Sequence, residues 1–173
     1  MELRPLREAD LGAYYRWQDE ERHWDRYTCR PVEIVRPYTV FADRYLEATR
    51  SGRQVVFSIL VGGEVVGRLV AFDYNTRNRS AEIGYYLEER SRGQGVGTEA
   101  LRAFADALLS LPRWNLHKLY ATTSADNAPS QAILRKAGFR EDGRLREHYL
   151  LDGTFHDQVF CSLLRREWAQ PER

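Results

Sequence analysis

The sequence predicts an α+β fold, on three observations. Between residues 54 and 87, three β-rich runs follow one another across short polar turns, as in a meander of antiparallel strands. From residue 97 the apolar spacing changes to steps of four and three, and a helix, a strand and a second helix follow. Beyond Phe139 the chain returns to two β-rich runs, separated by a turn at Asp152-Gly153.

The elements can be justified in order. ELRPL, from residue 2, suits a short opening strand. Asp10 is placed to cap a helix that carries Leu11, Tyr14, Tyr15 and Trp17. The stretch from Glu21 to Pro37 is rich in charge, aromatics and proline and shows no period. Tyr38, Phe41, Tyr45 and Ala48 recur at helical spacing, which predicts a helix over 38–50. QVVFSILV (54–61) then turns at Gly62-Gly63 into EVVGRLVAFDYN (64–75), and TRNRS leads to AEIGYYL (81–87). Gly97, Leu101, Phe104, Leu108 and Leu111 mark one helical face, which Pro112 ends. HKLYATTS (117–124) is a strand. Asn127 as N-cap, Pro129 in the first turn and Gly138 just past the end frame a short helix. No linker, repeat or low-complexity segment interrupts this order, so residues 1–173 read as one domain.

Composition excludes several classes of function. The net charge of +1 supplies no field for nucleic acid or an anionic membrane. Lysine stands only at 118 and 136; the other basic residues are arginine. Cys29 and Cys161 are isolated, so neither a disulfide framework nor a metal site is expected. The opening MELRPLREAD lacks the apolar core of a signal peptide, and no run approaches the roughly 18 apolar residues of a membrane span. A cytoplasmic protein is the expectation.

The most informative stretch is RSRGQGVGT, residues 90–98. It lies between a strand and a helix. The backbone N–H groups at a helix start have no intrahelical acceptor, and together with the helix dipole they attract an anion, typically phosphate. Gly93, Gly95 and Gly97 would let a ligand approach the backbone closely, Arg90 or Arg92 would add charge, and Thr98 a hydroxyl. No lysine follows the glycines, so this is not a GxxxxGK[ST] nucleotide loop. The spacing GxGxG after an antiparallel meander is not the dinucleotide fingerprint either. A tight turn without a ligand is the other reading of three glycines alone.

The neighbouring residues favour the ligand. R-G-Q-G-V-G-T (92–98) resembles the pyrophosphate loop of the GCN5-related N-acetyltransferases (GNAT), whose core [QR]-x-x-G-x-[GA] is met here by Arg92, Gly95 and Gly97. AEIGYYL looks like that family's central strand before the loop, and N-A-P-S-Q-A-I-L-R-K-A-G-F (127–139) like its second motif. EDGRLRE (141–147) and DGTFHD (152–157) are similar to the branch that holds RimJ, RimL and spermidine acetyltransferase. The resemblance covers residues 54–165 well and 20–50 weakly. It implies a mixed sheet of about seven strands with two splayed parallel strands, flanked by about four helices. It also implies acetyl-CoA as cosubstrate and no metal. The cofactor contacts it implies are Tyr86, Leu87, Arg92, Gly93, Gln94, Gly95, Val96, Gly97, Thr98, Asn127 and Ser130.

Acetyl transfer to an amine needs a neutral nucleophile, a donor for the oxyanion and a proton for the leaving thiolate. A lysine-like amine titrates near ~10.4 and an α-amine near ~7.7–8, so a base helps the first more than the second. Strand alternation puts Ala81, Ile83, Tyr85 and Leu87 on one face and Glu82, Gly84 and Tyr86 on the other. Glu82 matches the catalytic glutamate of histone acetyltransferases in the superfamily, and partial burial would suit it as the base. Its other reading is a strand carboxylate in solvent or paired with arginine. Leu134 stands where spermidine acetyltransferase-like sequences carry tyrosine, whereas Ser130 matches the serine of RimL-like enzymes. Ser130 is therefore assigned to the thiolate, or else only to helix capping beside Asn127. The oxyanion donor is a backbone N–H near Tyr86 or Leu87.

Weaker candidates are His148, His156, Tyr120 and Tyr149 in the late strands, and Asp142, Glu147, Asp152 and Asp157 as attractors of a cationic amine. Trp17, Trp24 and Tyr27 are candidates for a substrate wall. Packing and surface roles are the common alternatives for all of them. The resemblance favours a protein N-terminal α-amine as acceptor, with a polyamine, antibiotic or other small amine second. It implies no nucleic-acid or membrane partner and is compatible with a homodimer. A non-catalytic CoA-binding sensor is the rival class.

Overall fold

The computed structural model describes residues 1–22, 28, 30, 33–112 and 114–168, the side chains of 21 and 22 excepted. Seven strands form one sheet: β1 (Glu2–Pro5), β2 (Gln54–Val61), β3 (Glu64–Asn75), β4 (Ser80–Leu87), β5 (Lys118–Ser124), β6 (Arg140–Leu151) and β7 (Thr154–Leu164). Their spatial order is β1-β2-β3-β4-β5-β7-β6. Every neighbouring pair is antiparallel except β4 and β5, which run parallel. The helices are α1 (Leu11–Arg22), α2 (Tyr38–Arg50), α3 (Val96–Ser110), α4 (Ala128–Lys136) and a closing turn α5 (Arg165–Trp168).

The meander forms because each run is β-branched or aromatic at alternate positions and each turn is polar. Its register, Gly67↔Leu87 through Phe72↔Glu82, fixes which side of β4 each residue takes. Ala81 and Ile83 enter a core built with Leu101, Phe104 and Leu108 of α3 and Leu134 of α4, with Tyr85 and Leu87 packed against it. Tyr86 enters a second core on the opposite face, with Leu11, Tyr14 and Trp17 of α1 and Phe41 of α2. The sheet is therefore covered on both sides, and a residue on β4 chooses its compartment by parity alone.

Asp10 does not cap α1 directly. It closes a short 3-10 turn (Glu8–Asp10) ahead of that helix, and its carboxylate accepts the Arg7 N–H at 2.9 Å. Two guanidinium N–H groups of Arg4 donate to it at 2.7 and 2.8 Å, and the Ser58 hydroxyl at 2.6 Å. Ser58 also meets the Tyr14 hydroxyl at 2.8 Å. This buried network ties β1, α1 and β2 together. Burial works to raise the Asp10 pKa, but the bonds from Arg4, Ser58 and Arg7 outweigh it and hold the carboxyl below its usual value. Asp10 therefore contributes stability in full above about pH 4, and that contribution is lost as pH falls through the lowered folded-state pKa. Asp10→Ala is expected to cost about 3–5 kcal/mol in urea unfolding, since it removes the two short bonds of Arg4 and leaves that guanidinium Glu2, at 3.9 Å, as its only acidic partner among the described residues. Asp10→Asn should flatten the acid limb of the stability–pH curve, and an unchanged limb would assign acid sensitivity elsewhere.

Candidate functional site

The two parallel strands touch only briefly. Ser80↔Lys118, Ala81↔Leu119 and Glu82↔Tyr120 are paired, and the ladder stops there. Beyond this point β4 continues to Leu87 on β3 alone, and β5 to Ser124 on β7 alone. A gap thus opens after Glu82, and the β4 backbone from Ile83 onward has no strand on that side.

On the α3 and α4 side, the glycine loop borders the gap. Gly93 and Gly95 have φ of 74° and 83°, values that strain any residue with a Cβ. Gly97 differs: its backbone is not left-handed, but a Cβ there would sit a tight 3.2 Å from Ile133 Cδ1 of α4. The N–H groups of Thr98 and Glu99 both donate to the Gly95 carbonyl at 3.1 Å. Those of Gly93 to Gly97 take no backbone acceptor among the described residues. Gly93, Gln94 and Gly95 face solvent. The result is a run of N–H groups without backbone acceptors among the described residues at the head of a fifteen-residue helix.

The two arginines of the loop differ. Arg90 is held by Glu64 at 2.9 Å and Glu88 at 3.1 Å, so its charge is already matched. Arg92 donates from Nε to the Leu87 carbonyl at 2.7 Å and lies over the Tyr86 ring, 5.7 Å from its centroid. Gln94 donates to the Arg90 carbonyl at 2.8 Å. These bonds fix the loop to the end of β4.

Asn127 caps α4 as the sequence predicts, its side-chain oxygen accepting the Ser130 N–H at 3.1 Å. The Ser130 hydroxyl lies 2.6 Å from the Tyr85 hydroxyl, and either group can be the donor. The Tyr85 hydroxyl also donates to the Ser130 carbonyl at 3.2 Å. Burial pushes the Tyr85 pKa up to about 12. Strand alternation places Tyr85 only as packing. Its bond to a serine forty-five positions away depends on where α4 docks, and no local pattern encodes that.

On the other face, Glu82 is the last paired residue before the gap and only 5% exposed. The Thr122 hydroxyl donates to its Oε1 at 3.0 Å, and Arg30 Nη2 donates to its Oε2 at 2.6 Å. The arginine-paired alternative is therefore realised at the same residue that the resemblance assigns as base. Arg30 also stacks over Phe72, 5.0 Å from the ring centroid. Tyr120 donates to Asp73 at 3.1 Å; burial, then the negative charges of Glu82 and Asp73, push its pKa up to about 12. Tyr86 packs on Trp17 on this face, and its hydroxyl donates to Glu20. Any contact between Tyr86 and a ligand in the gap must therefore come from its backbone.

The weaker candidates divide. Trp17 is buried core; Trp24, Tyr27 and Cys29 lie outside the described residues. His156 pairs with Asp126 at 2.9 Å and stacks on Tyr149. His148 is exposed on β6. Asp142 accepts from Lys118 and Ser162, and Asp157 accepts the Glu147 N–H. Asp152 forms the β6–β7 turn. None of the described ones is bonded to Glu82. Cys161 is a buried thiol whose pKa is raised by burial and by nearby Glu141 and Asp142. Among the described residues no three metal-ligating side chains come together, and no helix is long and apolar enough to cross a membrane.

A gap between two parallel strands, with a glycine-rich helix start on one face and a buried carboxylate on the other, is accompanied by a family match. The acetyltransferase (GNAT) domain matches residues 1–140. The chain belongs to the GNAT family. It is an acyltransferase, and the seven-stranded mixed sheet with splayed strands is the expected GNAT fold. A relative named "Putative ribosomal N-acetyltransferase YdaF", of Bacillus subtilis (strain 168), is 31% identical over 110 residues, 64% of this chain and 59% of that protein. The uncharacterized N-acetyltransferase p20 of Bacillus licheniformis is 33% identical over 167 residues, 95% of this chain and 91% of that protein. A solved spermidine N-acetyltransferase of Vibrio cholerae, in complex with CoA and spermine, superposes with a TM-score of 0.82 at 21% identity, over 97% of both chains.

Tyr85→Phe is expected to cost about 1 kcal/mol in urea unfolding, as is Ser130→Ala. The double variant should cost no more than Tyr85→Phe alone, because Tyr85→Phe already removes the hydroxyl–hydroxyl bond that Ser130→Ala removes, together with the bond to the Ser130 carbonyl. Additive losses would mean that the Tyr85–Ser130 bond contributes nothing to stability.

Proposed function

We propose that residues 1–173 act as one domain that transfers an acetyl group from acetyl-CoA to a primary amine by direct attack, with a protein N-terminal α-amine as the leading acceptor. One observation carries this reading: the gap beyond Glu82 has a proton acceptor on one face and a hydroxyl pair on the other. The N–H groups of Gly93, Gln94, Gly95, Val96 and Gly97, with Arg92 and Thr98, would hold the pyrophosphate. The pantetheine would lie between β4 and β5 against Asn127, Ser130 and the β4 backbone at Tyr86 and Leu87, on the side where β4 has no neighbouring strand. The residues fit such a ligand, because exposed glycine amides complement the pyrophosphate oxygens and a strand edge without a neighbour complements the amide groups of pantetheine. Acetyl-CoA supplies the thioester carbonyl.

On this reading, Glu82 takes a proton from the acceptor ammonium, whose nitrogen lone pair then forms the new C–N bond. A backbone N–H near Tyr86 or Leu87 faces the developing oxyanion. The C–S bond breaks, and the second amine proton reaches the sulfur through Ser130, which Tyr85 holds in place. The products are the amide, the free thiol and one proton, which leaves from Glu82. The thiol of Cys161 is buried, in keeping with transfer without an acetyl-enzyme.

The leading acceptor rests on the branch motifs and on the relative with the ribosomal name. A small-molecule amine is the second reading, favoured by the fold neighbour solved with spermine. Retention of Glu82, Asn127 and Ser130 argues against a sensor without chemistry.

Thiol release from acetyl-CoA, measured over N-terminal peptides, polyamines and aminoglycosides with hydrolysis as the blank, tests the reading. Stimulation by one class establishes transfer and its acceptor chemistry. Glu82→Gln is expected to slow that release on the order of a hundredfold with CoA affinity intact; unchanged turnover would remove Glu82 as the base. Gly95→Ala forces a Cβ into the left-handed region at a cost of roughly 1–2 kcal/mol. Calorimetry should show CoA binding weakened by about tenfold, and full affinity would place the pyrophosphate elsewhere.

A further inference from the structure

Glu82 is buried, yet its cation comes from the surface. The Arg30 side chain is 57% exposed, against 7% for Glu82. Arg30 belongs to no helix or strand. It is held by its guanidinium end, with Nη2 on Glu82 Oε2 and the planar group over Phe72. Tyr120 and Asp73 lie beside it, and the Arg30 charge is felt at the Tyr120 hydroxyl. A desolvated carboxylate, an aromatic face and a second acidic group are the parts of a site for an organic cation. The acceptor amine must reach this same carboxylate if Glu82 is the base, and each Glu82 oxygen already accepts a bond.

We propose that Arg30 fills the acceptor's cation site, and that the acceptor is an alkylammonium whose own charge replaces the Arg30 guanidinium on Glu82 while its stem lies on Phe72. This rests on the reading of Glu82 given above. A buried carboxylate left with no cation costs several kcal/mol, so the site exchanges one cation for another. Arg30 leaves cheaply, because most of its side chain is already in water. The chemistry explains why arginine can occupy this place. A guanidinium does not give up its proton in a protein, so Arg30 satisfies Glu82 without becoming a nucleophile. An ammonium in the same seat passes one N–H proton to Glu82, leaving a neutral amine and a carboxylic acid.

The tethered guanidinium competes at a local concentration in the millimolar range, so it weakens binding of a free cation by about tenfold. Calorimetry of the full chain with n-propylguanidinium chloride at constant ionic strength, without CoA, reads this directly. Arg30→Ala is expected to bind the probe about tenfold more tightly than the native chain, and Arg30→Ala combined with Glu82→Gln should lose the gain. Equal affinity in the native chain and Arg30→Ala would overturn the proposal. If Arg30→Ala does not fold, Arg30→Gln keeps the stem without the charge and is read in the same way. Loss of folding in both would make Arg30 a structural counter-ion and also overturn it. With an acceptor amine from the thiol-release panel, Arg30→Ala should lower KM by about tenfold. Should no amine in the panel stimulate release, the acceptor reading of Glu82 fails, while the probe titration still decides whether the cation site exists.

Discussion

The molecule depends on a place where hydrogen bonding stops. β4 and β5 pair through Glu82 and Tyr120 and then part. Beyond that point β4 has a strand neighbour on the β3 side only, and the Leu87 carbonyl takes its bond from Arg92, although unpaired polar groups in a sheet interior are costly. The surrounding structure tolerates this because both strands are fixed from outside, β4 by its register with its meander partner β3 and β5 by its full register with β7. Each half of the sheet is thus self-sufficient, and the gap between them is held open. In a GNAT enzyme such a gap gives a ligand access to backbone amides without unfolding anything.

Parity on β4 sorts the site. Tyr85 faces α4 and meets Ser130, while Glu82 and Tyr86 face the opposite side and meet Arg30 and Glu20. Neighbouring residues therefore serve different compartments. A one-residue slip in the β3–β4 register would exchange the two sets and put Glu82 into the apolar core under α3. The close β3–β4 pairing from Gly67 to Phe72 is what prevents it. Stability of the meander and placement of the chemistry are one constraint.

Local features were legible in the sequence. The bounds of β2 and β3, the apolar face of α3, the Asn127 cap and the glycine loop depend on residues within a turn or two of each other. Asp10 was misread because its side chain bonds backward to Arg7 and outward to Arg4 and Ser58 instead of forward into α1. Ser58 lies 48 positions away, and only the pairing of β1 with β2 brings it close. Arg30–Glu82 and Tyr85–Ser130 were illegible for the same reason, joining elements 52 and 45 positions apart. The sequence names the carboxylate and the serine; their partners are set by where α4 docks and by the placement of Arg30 over the sheet.

Net charge misleads here, and the reason is geometrical. A chain at +1 has no global preference for anions or cations. Across the gap, however, the charges separate. The α3 side offers the positive end of a helix dipole, exposed amides and Arg92. The other side gathers Glu82, Asp73 and Glu20 on three different elements or turns. An anionic group is favoured on one face and a cationic one on the other. At separations of a few ångströms these local fields outweigh the whole-chain charge, which salt screens over about 10 Å. An arginine on Glu82 matches that polarity, and its guanidinium, unlike an ammonium, does not give up a proton to the carboxylate it pairs with.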